Sequence, residues 1–322
     1  MKYMDNFSAI VGQNRAIEQL KRSLQHNSVS HAYLFLGPSG IGKMLTAEAF
    51  ARAVIQAGDP DAGLYFKENM HPDLLIISRL ENKTVIAKEQ ITKEIEPWLG
   101  LKPYRALRRV VIIRDSHLMS QEAANALLKT LEEPPEYALI ILVADDSNLL
   151  ETIVSRCQLL RFFTLADQEI EQYLLDQGID PAKAGNSARL GQGSISLARR
   201  FVEEEALAEI WDIAGNIVEK MAGGEKVEIF NTAEQMERDP DLICSMLVTI
   251  LRDINIFRMT GREDLLTLPG SKRIALLIKE DQGLAFMEAI EKIMSLRSYY
   301  RTNVNSLLIN INISYELWKA FQ

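Results

Sequence analysis

The residues Gly37-Pro-Ser-Gly-Ile-Gly42-Lys43-Met44 carry the clearest chemical signal in the chain. Glycines at Gly37, Gly40 and Gly42 free backbone amides to wrap an anion, a helix opening directly afterwards favours negative charge at its N-terminus, and Lys43 can reach the outer phosphates of a nucleotide. In the full phosphate-loop pattern the next residue is Ser or Thr, whose hydroxyl ligates Mg2+. Here it is Met44, and a thioether is a poor partner for a hard cation. Thr46 falls on another face of the helix and does not easily substitute. A second signal is Asp115, just past the apolar run Val110 to Ile113, where phosphate-loop proteins place a metal-holding acid. Ser116 follows it, and a neutral hydroxyl cannot serve as the base that activates a water.

The elements that must position these residues are legible in the hydrophobic pattern. Strands are expected at Tyr33 to Leu36, Leu74 to Ile77, Val110 to Ile113, Leu139 to Val143 and Gln158 to Phe162. Helical patterns lie between them, including Leu45 to Ile55 and Gln121 to Leu131, the second stopped by Pro134-Pro135. That alternation predicts a parallel sheet with flanking crossover helices. After Phe163 the strand signal fades. Short helices punctuated by Pro181, Gly185, Gly191 and Gly193 follow, and then a long stretch rich in Leu, Ile and Met, with helix breaks expected at Gly223-Gly224, across 231–241 and across 266–270. The domain expectation is an α/β domain over 1–163, a small helical domain over 164–206 and a larger helical domain over 207–322.

Composition narrows the function classes. With 36 Lys+Arg against 44 Asp+Glu the formal charge is −8, a poor basis for gripping DNA across the whole surface, so any nucleic-acid role has to be local or indirect. Two cysteines, Cys157 and Cys244, in 322 residues form neither a disulfide framework nor a CxxC-type zinc site. No run approaches the roughly 20 apolar residues that span a bilayer, and the N-terminus lacks a signal-peptide core. The expectation is a cytoplasmic protein with no membrane contact.

Further stretches carry a family resemblance: Val11-Gly-Gln13, His31-Ala-Tyr-Leu-Phe-Leu-Gly37, His71-Pro-Asp73, Asn125-Ala-Leu-Leu-Lys-Thr-Leu-Glu-Glu-Pro-Pro135 and Ser155-Arg-Cys157. They resemble the bacterial sliding-clamp loaders of DNA polymerase III, a group of AAA+ proteins. The resemblance is close over residues 1 to about 205 and weaker through the helical C-terminus, where Arg301-Thr-Asn-Val-Asn305 is similar to the family's closing element. It implies that the three domains are an AAA+ P-loop α/β domain, a small helical AAA+ lid and an all-helical C-terminal collar that joins a hetero-oligomeric ring. The implied partners are the motor (gamma/tau) and delta subunits, with the sliding clamp and primed DNA met through the assembly.

Within that family the motor subunits keep the Thr of the loop, the acidic pair after the strand, a polar sensor near Val143-Ala144 and a sensing arginine in the region of Gly193-Ser194-Ile195-Ser196. Met44, Ser116, the apolar Val143-Ala144 and Ser196 depart from all four, and match the member whose nucleotide site has decayed. The resemblance assigns that member an arginine finger used in trans: Arg156, supported by Ser155 and Cys157. Arginine suits the task because its planar, always-charged fork can neutralise charge on a neighbour's γ-phosphoryl group. Gly37, Gly40, Gly42, Lys43 and Asp115 are then a degenerate site with possible residual ATP or ADP binding, no required cofactor and no intrinsic enzyme activity. The family's four-cysteine zinc module would fall at Gly58 to His71, which has no cysteine, so no zinc is expected. The alternatives are an ATP-hydrolysing motor subunit or other AAA+ ATPase, and a pure interaction protein.

Other candidates read as structural. Arg105, Arg108 and Arg109 form a basic run expected to be a solvated face. His117 is expected to pack or cap, Glu132-Glu133 to close a helix, and Met246, Met287, Met294 and Trp318 to serve a core or a subunit interface.

Overall fold

Two strands, Arg109–Ile113 and Ala138–Ala144, apolar but for Arg109, are buried at every residue, as a central position in a two-faced sheet requires. In the computed structural model, which describes residues 4–66, 71–81, 83–145, 149–204, 206–267, 271–277, 283–301 and 304–322, they are β3 and β4 of a five-stranded sheet. The elements follow in the order α1 (Asn14–Gln25), β1 (Ala32–Leu36), α2 (Lys43–Gln56), α3 (Ala62–Phe66) and β2 (Leu74–Ile77). A π-helical turn at Gln90–Ile95 leads into α4 (Glu96–Leu99), then β3, α5 (Gln121–Glu132), β4, α6 (Glu151–Val154) and β5 (Gln158–Arg161). The helices α7 (Asp167–Asp176), α8 (Pro181–Leu190) and α9 (Ile195–Glu203) come next.

The spatial order is β2-β3-β4-β1-β5, and every pairing is parallel, with Leu36 beside Ala144 and Ile113 beside Leu142. All five expected strands form, within a residue of the expected ends. Strand alternation splits the core in two. Tyr33, Phe35, Val110, Ile112, Leu139, Ile141 and Val143 pack with α1 and α2, while Ala32, Leu34, Val111, Ile113, Ile140 and Leu142 pack with the π-turn, α4 and α5. Because β1 and β4 are neighbours, the loop after β1 and the residue after β4 emerge at the same carboxyl edge, where open α/β sheets place their sites.

Compact packing divides the chain into Met1–Ala198 and Arg199–Gln322. The second unit is helical: α10 (Ala206–Ala222), α11 (Glu228–Met236), α12 (Pro240–Thr260), α13 (Ser271–Leu277), α14 (Gly283–Arg297) and α15 (Ser306–Ala320). The polar run 231–241 is a correction to the expected break, because α11 continues through it to Met236. Its polar residues are partitioned by face: Thr232, Ala233 and Met236 are buried and Asn231 and Glu234 exposed. The break is confined to 237–239, after which Asp239 caps α12 through the Leu242 amide at 3.2 Å. The break expected across 266–270 and the element at Arg301 to Asn305 lie partly outside the described residues. No helix of the described residues is long and apolar enough to cross a membrane.

Candidate functional site

The phosphate loop runs from the end of β1 into α2. Gly40 and Gly42 adopt φ of 74° and 97°, left-handed conformations that a side chain would strain. Lys43 opens the helix with only 3% of its side chain exposed. Its ammonium donates to Gly37 O at 2.6 Å, to Pro38 O, and to Asp145 Oδ1 at 2.9 Å. Met44 packs against the core on the α2 side of the sheet, so its thioether belongs to the packing. The Thr46 hydroxyl donates back to Gly42 O at 2.9 Å, a helix back-bond that keeps it within α2.

At the end of β3 the side chains change role. Val110 and Ile112 face α2 and Val111 and Ile113 face α5, and Arg114, just past the strand, is 58% exposed. Asp115 leaves the strand with φ 52°, and its carboxylate lies 3.6 Å from Arg114 Nε. Ser116 is fully buried and donates to Val143 O at 3.1 Å, tying β3 to β4. His117 caps, as expected: its Nδ1 accepts the Asp145 amide at 3.2 Å.

Asp145 is the residue that sequence reasoning missed. Val143 and Ala144 are buried and apolar as read, but the next position sends a carboxylate into the phosphate loop, onto Lys43. Burial works against its charge, yet the hydrogen bond and charge of Lys43, with His117 and a hydrogen bond from Ser39, hold the carboxyl below its usual range. The only local cue was an acid immediately after a buried strand beside the glycine loop.

Two further segments close on the loop. Gln13, at φ 55°, donates through Nε2 to Phe163 O at 2.6 Å and Ile41 O at 3.3 Å, and accepts the Phe163 amide on Oε1 at 3.1 Å. This gives the Val11-Gly-Gln13 stretch a mechanical task, joining the exit of β5 to the loop. The turn into α9 does the same from the other side, the Ser196 amide donating to Gly40 O at 3.2 Å. A Cβ on Gly40 would fall 2.1 Å from Ser194 Oγ, which is why that position takes glycine.

Ser155, Arg156 and Cys157 form the turn between α6 and β5. The Arg156 guanidinium is 35% exposed and pairs with Glu132 at 2.7 Å, and it also donates to Thr152 O at 2.9 Å. Glu132 therefore closes its helix and also holds Arg156, a partnership without local sequence signal. Ser155 Oγ lies 3.5 Å from the guanidinium. Cys157 packs into the α5-side core, and burial pushes its thiol up to about 12.

The basic run requires a second correction. Arg105 grips the buried Asp59 through Nε at 2.6 Å and Nη2 at 3.2 Å and lies over the Tyr65 ring. Arg109, 6% exposed, stacks on Trp98 at 4.4 Å, and Arg108 donates to Val29 O. Arg105 and Arg109 are engaged internally, Arg105 on the buried Asp59 and Arg109 Nε 3.6 Å from the buried Asp73, each offsetting the burial of a carboxylate. Asp73 accepts the amides of Tyr104, Arg105 and Ala106 at 2.7 to 2.8 Å. Within Gly58 to His71, of which 67–70 lie outside the described residues, His71 uses Nε2 on Asp59 at 3.2 Å and accepts the Asp73 amide on Nδ1 at 3.1 Å. Both ring nitrogens are committed, an arrangement that does not fit a zinc ligand. Among the described residues no group of three His, Cys, Asp or Glu could hold a metal ion.

Comparison with known proteins finds similarity to subunits of DNA polymerase III. Residues 12–166 match the family model described as DNA polymerase III, delta subunit. The chain is 33% identical over 209 residues to the DNA polymerase III delta-prime subunit of Bacillus subtilis (strain 168), covering 62% of this chain and 63% of that protein. It is 28% identical over 327 residues to the tau subunit of the same organism, covering 91% of this chain and 56% of that one. Among solved structures, a DNA polymerase III gamma-subunit-related protein of Thermotoga maritima aligns at 20% identity and TM-score 0.44, covering 94% of this chain and 100% of that one. The chain spans less than two thirds of the length of these delta-prime and tau relatives. Delta-prime and tau/gamma subunits both occur among the relatives, and the chain is similar to both kinds of subunit of bacterial DNA polymerase III.

Proposed function

We propose that the chain is the non-hydrolysing, delta-prime member of its clamp loader, a stator that supplies Arg156 in trans to ATP held by a neighbouring motor subunit. The observation that carries this reading is the contrast between two cations. Lys43 is 3% exposed and ion-paired inside its own loop, whereas Arg156 sits at a surface turn, 35% exposed, on a half-exposed glutamate. A surface ion pair of this kind is worth about 0–1 kcal/mol, so Arg156 can exchange Glu132 for a phosphoryl group at little cost. Met44 and Ser116 support the same division of labour, since neither can supply magnesium ligation or water activation.

The residues around 1–163 and 164–206 then act as the AAA+ unit and lid, and 207–322 as a collar holding the motor and delta subunits in a hetero-oligomer. In keeping with that, α14 and α15, joined by Lys292 to Glu316 at 3.0 Å, leave Met287, Met294, Leu308 and Tyr315 each close to half exposed, an apolar surface suited to subunit association. Met246, by contrast, is fully buried core, and Trp318 donates to Gly224 O at 3.0 Å. The sliding clamp and primed DNA are reached through the assembly. The chain itself requires no cofactor and no zinc, and works in the cytoplasm.

A motor subunit is the competing reading, favoured by the similarity to tau across 91% of the chain. Reconstitution with motor and delta subunits separates the two. Arg156→Ala is expected to assemble normally and to depress the ATP turnover of the loader, with the served site losing on the order of 10^3-fold or more. Unchanged turnover removes Arg156 from this role.

A further inference from the structure

We infer that Asp145 is a built-in anion that occupies the phosphate place of the loop, so that the chain itself holds the loop wound and nucleoside phosphates are kept out. The inference rests on the non-hydrolysing reading of the site. Its basis is the set of donors that meet the carboxylate. Lys43 comes from the end of the loop and Ser39 from its tip, and both hydrogen-bond Asp145. The lysine is the group a phosphate loop turns toward a phosphoryl oxygen, and here it meets an anion fixed in the sequence.

The donor count makes the occupation complete. A lysine ammonium has three N–H donors, and Lys43 spends them on Gly37 O, Pro38 O and Asp145 Oδ1. A phosphate entering the loop has to break the ion pair of a lysine only 3% exposed and an aspartate 18% exposed, and it meets the like charge of the displaced carboxylate. Asp145 is also held from behind. Its amide donates to His117 Nδ1 at 3.2 Å, and the strand before it is buried throughout and in register with β1. The carboxylate is therefore a fixed part of the loop floor. On the open side, the Ser196 amide on Gly40 O and the close approach of Ser194 to Gly40 cover the loop with the turn into α9. Met44 fits the same design, because a loop that never holds a nucleotide has no magnesium to ligate.

The test is a titration of the full chain with ADP and, separately, inorganic phosphate, read by calorimetry and by thermal shift. The wild type is expected to show no saturable binding. Asp145→Asn keeps the side-chain shape and the Ser39 hydrogen bond while removing the charge, and is expected to bind ADP at least about tenfold more tightly than the wild type, the equivalent of about 1.4 kcal/mol. A saturable ADP-induced rise in the melting temperature of the wild type overturns the inference. So does a folded Asp145→Asn that binds ADP no better than the wild type. If Asp145→Asn does not fold, Asp145→Ser carries the same two outcomes. ADP binding without ATP turnover by the wild type would sink this inference and leave the stator reading standing, so the two fail separately.

Discussion

Replacing Arg105 by Ala tests whether the basic run is internal structure. The Asp59 side chain is 3% exposed, and the Arg105 guanidinium that meets it at 2.6 Å is 30% exposed. After truncation the carboxylate keeps the His71 ring at 3.2 Å and the Asp61 amide at 3.1 Å, but no full positive charge at contact. Removing one partner of a fully buried pair costs about 3–5 kcal/mol, and access of water to the guanidinium side lowers the expectation to about 2–3 kcal/mol. For a unit of this size, that is a fall of about 4–12 °C in melting temperature. The assay is thermal unfolding followed by circular dichroism at neutral pH and again in acid. Arg105's hydrogen bond holds the Asp59 carboxyl down to about 2, from an ordinary 3.8. A depressed carboxyl contributes stability that is present above the unfolded value and lost as pH falls through the folded one. The gap between wild type and Arg105→Ala is therefore complete above pH 3.8 and closes as pH falls toward about 2. A variant melting within about 2 °C of the wild type, as an exposed arginine would, refutes the reasoning, and so does a gap that ignores acid.

Two further expectations concern backbone and thiols. Gly12→Ala places a Cβ 2.3 Å from Leu165 Cδ2 at φ 63°, whereas Gly178→Ala at φ 81° meets nothing; denaturant unfolding should show the first costing clearly more than the roughly 1 kcal/mol of backbone strain expected for the second. Burial pushes the thiols of Cys157 and Cys244 up to about 12, so maleimide labelling near neutral pH should be slow in the native chain and fast in urea; rapid native labelling of either would contradict the packing described.

The sheet was legible because its signal is local. A strand such as Ala138–Ala144, apolar throughout and buried on both faces, announces itself within its own residues. The glycine loop was legible for the same reason. What escaped were partnerships between distant positions. Glu132 with Arg156, Asp145 with Lys43, and Arg105 with Asp59 across 46 residues leave no trace in periodicity, because the fold alone brings them together. The arginine run shows the cost: by composition it is a solvated face, and only the burial of Asp59 and Asp73 makes it internal. The strand end shows a subtler limit. Asp115 follows the apolar run as read, but its left-handed backbone and its approach to Arg114 at 3.6 Å have no signal in the run itself. Within 231–241 the polar residues concealed a helix because only their distribution between faces distinguishes a surface helix from a loop.

The central claim is a division of labour in which this chain supplies an arginine and does not turn over ATP. It is tested most directly by ATP hydrolysis by the purified chain alone in the presence of Mg2+. The account predicts no phosphate release above the protein-free blank. Turnover by the wild type that Lys43→Ala abolishes would contradict it and make the chain a motor.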